Sequence, residues 1–363
     1  MDIWDWYNEC LRRFKRDGDR ERLRMARFHP QGFDCQETDP ERTLALFTEG
    51  RNLAEQLGEP WWVLFYDVWR VQALIGYLHD YRNVLDLAVR CALEVRKPSY
   101  DRHPWKFAIF NHLVRIYTEI DPLGHADAIR EALAYLEAEL PPEPNDDRYV
   151  MLGRKRKFAL ARGDLDEALA VALSQIALGD ADEDERRVGW YTVSVYCDLC
   201  LIYQRRGEWD AIAENAERAE VLARQLDQCE SELAESQLWQ AVLARRAGKE
   251  FESARQLRNA MRRMKRLRTP PSREYFDALV LYHDLGGELE KGLLARDEER
   301  KVIDGKGRLV SECEVRIKRC RLLAQLERLR PEDLEDARAA AQKLRLPDHY
   351  LAQIERLAAD KGR

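Results

Sequence analysis

Tyr196-Cys197-Asp198-Leu199-Cys200-Leu201-Ile202-Tyr203-Gln204-Arg205-Arg206-Gly207-Glu208-Trp209, continued by Ile212, Ala216 and Ala219, is the stretch that decides the fold. Tyr196, Leu199, Cys200 and Tyr203 recur at three- and four-residue steps, the spacing of one helix face. Gly207 then breaks the helix, since glycine takes the left-handed conformation that ends helices without steric cost. Trp209, Ile212, Ala216 and Ala219 restart the helical period with small residues, which let two helix backbones approach closely. One helix, a glycine turn and a second helix therefore share an apolar seam. A single such pair cannot cover its own seam, so it needs neighbours of the same kind.

The chain supplies them. Phe158-Ala159-Leu160-Ala161-Arg162-Gly163-Asp164-Leu165 leads into Ala168 and Ala172, and Ala241, Ala244 and Gly248 lead into Phe251, Ala254 and Leu257. Upstream, Val68, Val71 and Ile75 precede a His79-Asp80 turn followed by Tyr81, Val84, Ala88 and Cys91. The turn markers His79, Gly124, Gly163, Gly207, Gly248 and Gly286 stand 45, 39, 44, 41 and 38 residues apart.

This aromatic, small and glycine pattern resembles the tetratricopeptide repeat (TPR). The usual repeat is about 34 residues, so each helix here is expected to be about one turn longer. HEAT-type arrays have comparable periods but lack the pattern. The expected fold is all-α, a right-handed α-α superhelix (TPR-like solenoid) of about seven helical hairpins plus terminal helices. Helix pairs are expected at 60–97, 102–140, 146–178, 184–226, 229–268, 272–303 and 308–344. They form an array over 58–346, with an N-terminal helical cap at 1–57 and a C-terminal capping helix in 347–363. The breaks carry helix punctuation: Pro98, Pro141-Pro142-Glu143-Pro144, Asp180 to Asp184, Thr269-Pro270-Pro271-Ser272, Pro331 and Pro347. The cap reads as a helix, an irregular His29-Pro30-Gln31-Gly32 connection, and a second helix begun by Asp39-Pro40.

Composition sets the bounds on function. Charged residues make up 35% of 363 and the net charge is only −6, so no global field favours nucleic acid or an anionic membrane. The start, Met1-Asp2-Ile3-Trp4-Asp5-Trp6, lacks the form of a secretory signal, and the apolar run Trp61 to Tyr66 is too short to cross a bilayer. These features predict a cytoplasmic protein without a membrane partner. Arginine outnumbers lysine 47 to 13, which hints at a bacterial, GC-rich genome. Eight scattered cysteines read as reduced thiols rather than a disulfide framework.

Recognised catalytic and nucleotide-binding signatures are absent: no GxxxxGK[ST], no GxGxxG after a strand, no HExxH and no GxSxG elbow. Cys197 and Cys200 have metal-like spacing, but no second pair completes the four ligands zinc requires. They read as small buried residues. No catalytic, cofactor or metal residue is assigned.

Two basic runs remain. Arg262-Arg263-Met264-Lys265-Arg266-Leu267-Arg268 ends an expected helix, where cations complement the carbonyl-end dipole. Arg154-Lys155-Arg156-Lys157 lies in a leading helix, and leading helices line the concave face of TPR arrays. Arg154, Arg156 and Lys157 are thus candidates to grip a partner's carboxylates, against a plain solvated surface. The basic residues do not continue along a face as phosphate tracking needs.

Trp61-Trp62-Val63-Leu64-Phe65-Tyr66-Asp67-Val68-Trp69 holds five aromatics in nine positions, more than one helix face hides. The repeat register places Tyr66 and Trp69 toward the groove, as binding anchors or as core, and Ser194, Cys197, Leu201 and Gln204 further along it. The resemblance implies a non-catalytic protein-protein interaction scaffold or adaptor that binds a partner protein or peptide in the concave groove. The alternatives are a peptide-responsive bacterial signalling regulator with TPR-like repeats, or an enzyme or enzyme subunit with an unrecognised site. Oligomeric state stays undecided.

Overall fold

The computed structural model describes residues 3–36, 38–226, 229–267 and 270–361. These form 18 α-helices and no strand. Their contacts divide the chain into two compact units, 1–120 with 126–140, and 121–125 with 141–363.

The first unit contains α1 (Ile3–Arg16), α2 (Arg20–Cys35), α3 (Pro40–Gln56), α4 (Pro60–Gln72), α5 (Val84–Val95), α6 (Lys106–Ile120) and α7 (Ala126–Glu139). Local signals start these helices. Asp39 accepts the Arg42 N–H at 3.0 Å, and Pro40 and Pro60 occupy first-turn positions, where a missing N–H costs nothing. A π-helical turn, Ala73–Tyr77, extends α4, and Arg115 donates to the Ile75 carbonyl at 3.1 Å. His79 closes this segment in the left-handed region, with φ 50°.

The expected irregular connection at His29-Pro30-Gln31-Gly32 is instead helical, lying inside α2. Proline at 30 has no N–H for the Ala26 carbonyl four residues back, and its ring crowds that turn. The structure answers from outside the helix. Tyr7 of α1 donates its hydroxyl to Ala26 O at 2.9 Å, and Tyr66 of α4 donates to Met25 O at 2.5 Å. Phe14, Met25, Phe47, Trp62, Phe65 and Tyr66 form the center of this core. At Gly50, α3 approaches so closely that a Cβ would stand 2.5 Å from the Tyr66 ring.

The second unit runs α8 (Asp146–Arg162), α9 (Leu165–Asp180), α10 (Glu185–Arg206), α11 (Trp209–Gln225), α12 (Glu230–Arg246), α13 (Glu250–Met264), α14 (Arg273–Leu285), α15 (Leu289–Ile303), α16 (Leu309–Gln325), α17 (Pro331–Ala341) and α18 (Asp348–Lys361). The expected pairs lie where the punctuation put them; the expected end of one at 268, like Arg268 and Thr269, falls outside the described residues. Asn145, Asp164, Asp184 and Ser272 cap α8, α9, α10 and α14 by accepting N–H groups of the first turn. Gly163 and Gly207 end α8 and α10 at φ 75° and 78°. Gly286 ends α14 as its C-cap, and the left-handed residue of that turn is the following Gly287, at φ 67°.

Within this unit helices pack on their neighbours in chain order except at α13, past which α14 packs on α12, and the leading helices α8, α10, α12 and α14 touch their counterparts in the adjacent pair. Ala159, Ala168, Ala172 and Ala219 let α8 to α11 close on one another. Cys200, Ile212, Ala216, Leu238, Trp239 and Tyr282 continue the seam, and Cys313, Ile317, Ala337, Leu344 and Ile354 finish it. The segment 121–125 joins this unit because Asp121 accepts the Arg345 N–H at 2.7 Å. No described helix is long and apolar enough to cross a membrane.

Candidate partner-binding wall

The leading helices of the second unit exchange ion pairs directly, producing a charged wall. Lys157 on α8 contacts Asp198 on α10 at 2.7 Å and Glu274 on α14 at 2.9 Å. Arg156 contacts the other oxygen of Asp198 at 2.8 Å and also bonds to Gln175. Farther along, Asp277 on α14 receives Arg296 at 2.6 Å and Lys318 of α16 at 2.8 Å, with Arg205 of α10 at 3.8 Å. Arg273 reaches Glu314 at 2.9 Å and Ser311 at 3.0 Å. Asp198 is 3% exposed, whereas 39% of the Lys157 side chain faces solvent. The wall is thus buried at its base and open at its rim.

Burial and neighbouring charge split the carboxylates. Burial raises the Glu235 carboxyl of α12 to about 8, and Glu274 and Asp198 add repulsion while Lys157 opposes it. Ser272 donates to one Glu235 oxygen at 3.3 Å; the other is buried without a hydrogen-bond partner among the described residues. Burial also acts to raise Glu274, but Lys157 and Arg273 outweigh it and bring the group down to about 2. Asp277 is lowered in the same way, Lys318 and Arg296 overcoming burial. Burial pushes the thiols of Cys197 and Cys200 well above their usual range.

The positions singled out from sequence are brought together only in part. Ser194, Cys197, Leu201 and Gln204 share one face of α10, with Ser194 and Gln204 half-buried and Cys197 and Leu201 buried. Cys197 and Cys200 direct their thiols at the carbonyls of Glu232 and Ile212, both at 3.7 Å. No described group of three or more His, Cys, Asp or Glu side chains is arranged to hold a metal ion. Arg154 is half-buried on α8. For Arg156 and Lys157 the expected grip on a partner's acid is corrected: Asp198, Gln175 and Glu274 already occupy them.

Tyr66 and Trp69 lie in the first unit, away from these residues in sequence and buried in its core. The Tyr66 hydroxyl is spent on α2, and the Trp69 ring packs at 4.7 Å from His29 and 5.0 Å from Trp105. More aromatics than one helix face can hide are covered because α1, α2 and α3 surround α4. The carboxylates Asp198, Glu235, Glu274 and Asp277 were not anticipated. Asp198 left a signal, an acid flanked by buried positions in the clearest repeat copy. No family model matches the chain, and no curated protein matches it.

Proposed function

We propose that the chain is a non-catalytic, cytoplasmic interaction scaffold that holds a partner protein or peptide. Its helix pairs stack, in this reading, as a right-handed TPR-like superhelix whose leading helices face the partner. The observation that carries the reading is the bridge from Lys157 to both Asp198 and Glu274. It brings leading helices of three different pairs to one partly open wall, the arrangement a groove-binding array requires. The carboxylates of the wall are mostly tied to cations, which suits a fixed recognition surface better than proton transfer.

Specificity would come from the rim, where Ser194 and Gln204 are half-buried on α10. The test is retention of partners by the immobilised full chain, followed by titration of the recovered partner against Ser194→Trp and Gln204→Arg variants. Both should weaken binding about tenfold while melting like the wild type. Unchanged affinity in two folded variants would remove the wall from the binding surface.

A further inference from the structure

The cations that end α13 belong to a longer row. Arg255, Arg258 and Arg262 stand three and four residues apart and are all exposed, the spacing of one helix stripe. Lys265 and Arg266 carry the stripe through the last turn, where their N–H groups bond to Met261 O at 3.1 Å and Arg263 O at 2.9 Å. Eleven residue steps at 1.5 Å make the row roughly 16 Å long, with a cation about every 4.5 or 6 Å. Phe251, 81% exposed, stands one turn before Arg255 on the same stripe.

Among the described residues, none of these five cations has a carboxylate within 4.0 Å. The whole segment 249–267 holds seven cations and only two carboxylates, Glu250 and Glu252. Following its ion pairs outward adds Arg245 and Lys291 against Glu230 and Glu288, so the surplus of five positive charges stands. The carbonyl-end dipole accounts for cations in the last turn but not for Arg255 and Arg258, which lie nearer the start of the helix. Like charges three or four residues apart also work against the helix that carries them. Solvated faces elsewhere avoid this by alternating sign: Glu214 pairs with Arg218 at 2.7 Å on α11, and Glu298 with Lys301 at 2.6 Å on α15.

We propose that this stripe binds single-stranded nucleic acid, its cations following the phosphates and Phe251 stacking on a base. At the ~3.4 Å rise of a stacked strand the row matches about five phosphates. The exposed aromatic at its end supplies what a sequence-tolerant strand site needs besides charge. A partner protein fits less well, because protein interfaces centre on apolar cores depleted of charge, and the stripe offers one apolar side chain at one end. A bilayer surface would need an apolar face to insert, whereas Leu257, Ala260 and Met264 are committed to the core shared with α12. The overall charge of −6 does not oppose the strand at this place, since charges beyond about 8 Å are screened at physiological salt. None of the charged wall's residues lies on α13, so this surface goes beyond the reading of the chain as a protein scaffold.

The test uses the full chain and fluorescein-labelled strands of about 12 nucleotides, one mixed sequence as RNA and as DNA, chosen to exceed the five phosphates of the row. Beside them stand an abasic DNA strand, the DNA duplex, and a helical peptide of the same length with glutamates three and four residues apart. Anisotropy should show both base-bearing strands bound at least tenfold more tightly than the peptide, and more tightly than the duplex, whose bases are closed to Phe251. Log K against log salt should slope at about −3.5 for five phosphates on a single strand. Arg255→Gln with Arg258→Gln should weaken strand binding at least tenfold and flatten the slope by about 1.4. That double variant should melt no lower than the wild type, because it removes like-charge pairs. Phe251→Ala should weaken the base-bearing strands several-fold, with the slope and the abasic strand's affinity unchanged. Strand binding that is absent, or unchanged in the double variant, overturns the proposal, as does equal or tighter binding of the duplex or the acidic peptide. Equal loss of abasic and base-bearing strands in Phe251→Ala removes the stacked base.

Discussion

Glu235 shows how a single buried acid sets a pH response. It is faced by Cys197 and Asp198 from α10, Glu232 from its own helix, Ser272 and Glu274 from α14, and Lys157 from α8. Burial holds its proton to about pH 8, against 4.5 for an ordinary glutamate. A folded state that keeps a proton the unfolded chain releases loses stability as pH rises. The contribution is therefore complete below pH 4.5, declines between 4.5 and 8, and is gone above that. Glu235→Gln keeps an acceptor for Ser272 and carries no charge. Its melting temperature should match the wild type near pH 5 and exceed it by about 3–6 °C near pH 9, a shift of one or two kcal/mol for a unit of this size. Parallel melting curves across that range would show that Glu235 ionises freely.

At the level of the helix, α2 makes the sharper case. Its interior proline is tolerated because a hydroxyl from the preceding helix, that of Tyr7, takes the Ala26 carbonyl that Pro30 leaves without an N–H. Tyr7→Phe leaves Ala26 O buried without that donor, a loss of about 1–3 kcal/mol. Pro30→Ala gives residue 30 an N–H that can bond to the same carbonyl. A double-mutant cycle in urea should thus find Tyr7→Phe markedly less costly in the Pro30→Ala background. Equal cost in both backgrounds would mean the hydroxyl does not replace the missing N–H. The same helix marks what is legible in sequence. Asn145, Asp164, Asp184, Gly163 and Gly207 act within one or two turns, so the helices they bound could be placed from local residues. Pro30 reads as a break from local sequence because the donor that replaces its missing N–H, the Tyr7 hydroxyl, stands 23 positions away. The burial of Trp69 and the engagement of Arg156 by Asp198 were hidden for the same reason, since spacing along one helix does not reveal what covers it.

Across the whole chain, stability should be local to neighbours. In the second unit helices pack chiefly on chain neighbours or, as α14 does on α12, on the adjacent pair, so a defect is felt by adjoining pairs before distant ones. Ala216 is fully buried on α11 within the cluster that joins α10, α12 and α14, whereas Glu217 beside it is exposed. Ala216→Asp places an unpaired charge in that seam, while Glu217→Lys changes only a solvated face. Native-state hydrogen exchange should show α10 to α13 losing protection in Ala216→Asp, α16 to α18 losing less, and α2 to α4 unchanged because their core is separate. Glu217→Lys should leave all of them as they were. Loss of protection that spreads equally from α2 to α18 would mean that the chain unfolds as a single cooperative body, and stability would then not be a sum over neighbouring helix pairs.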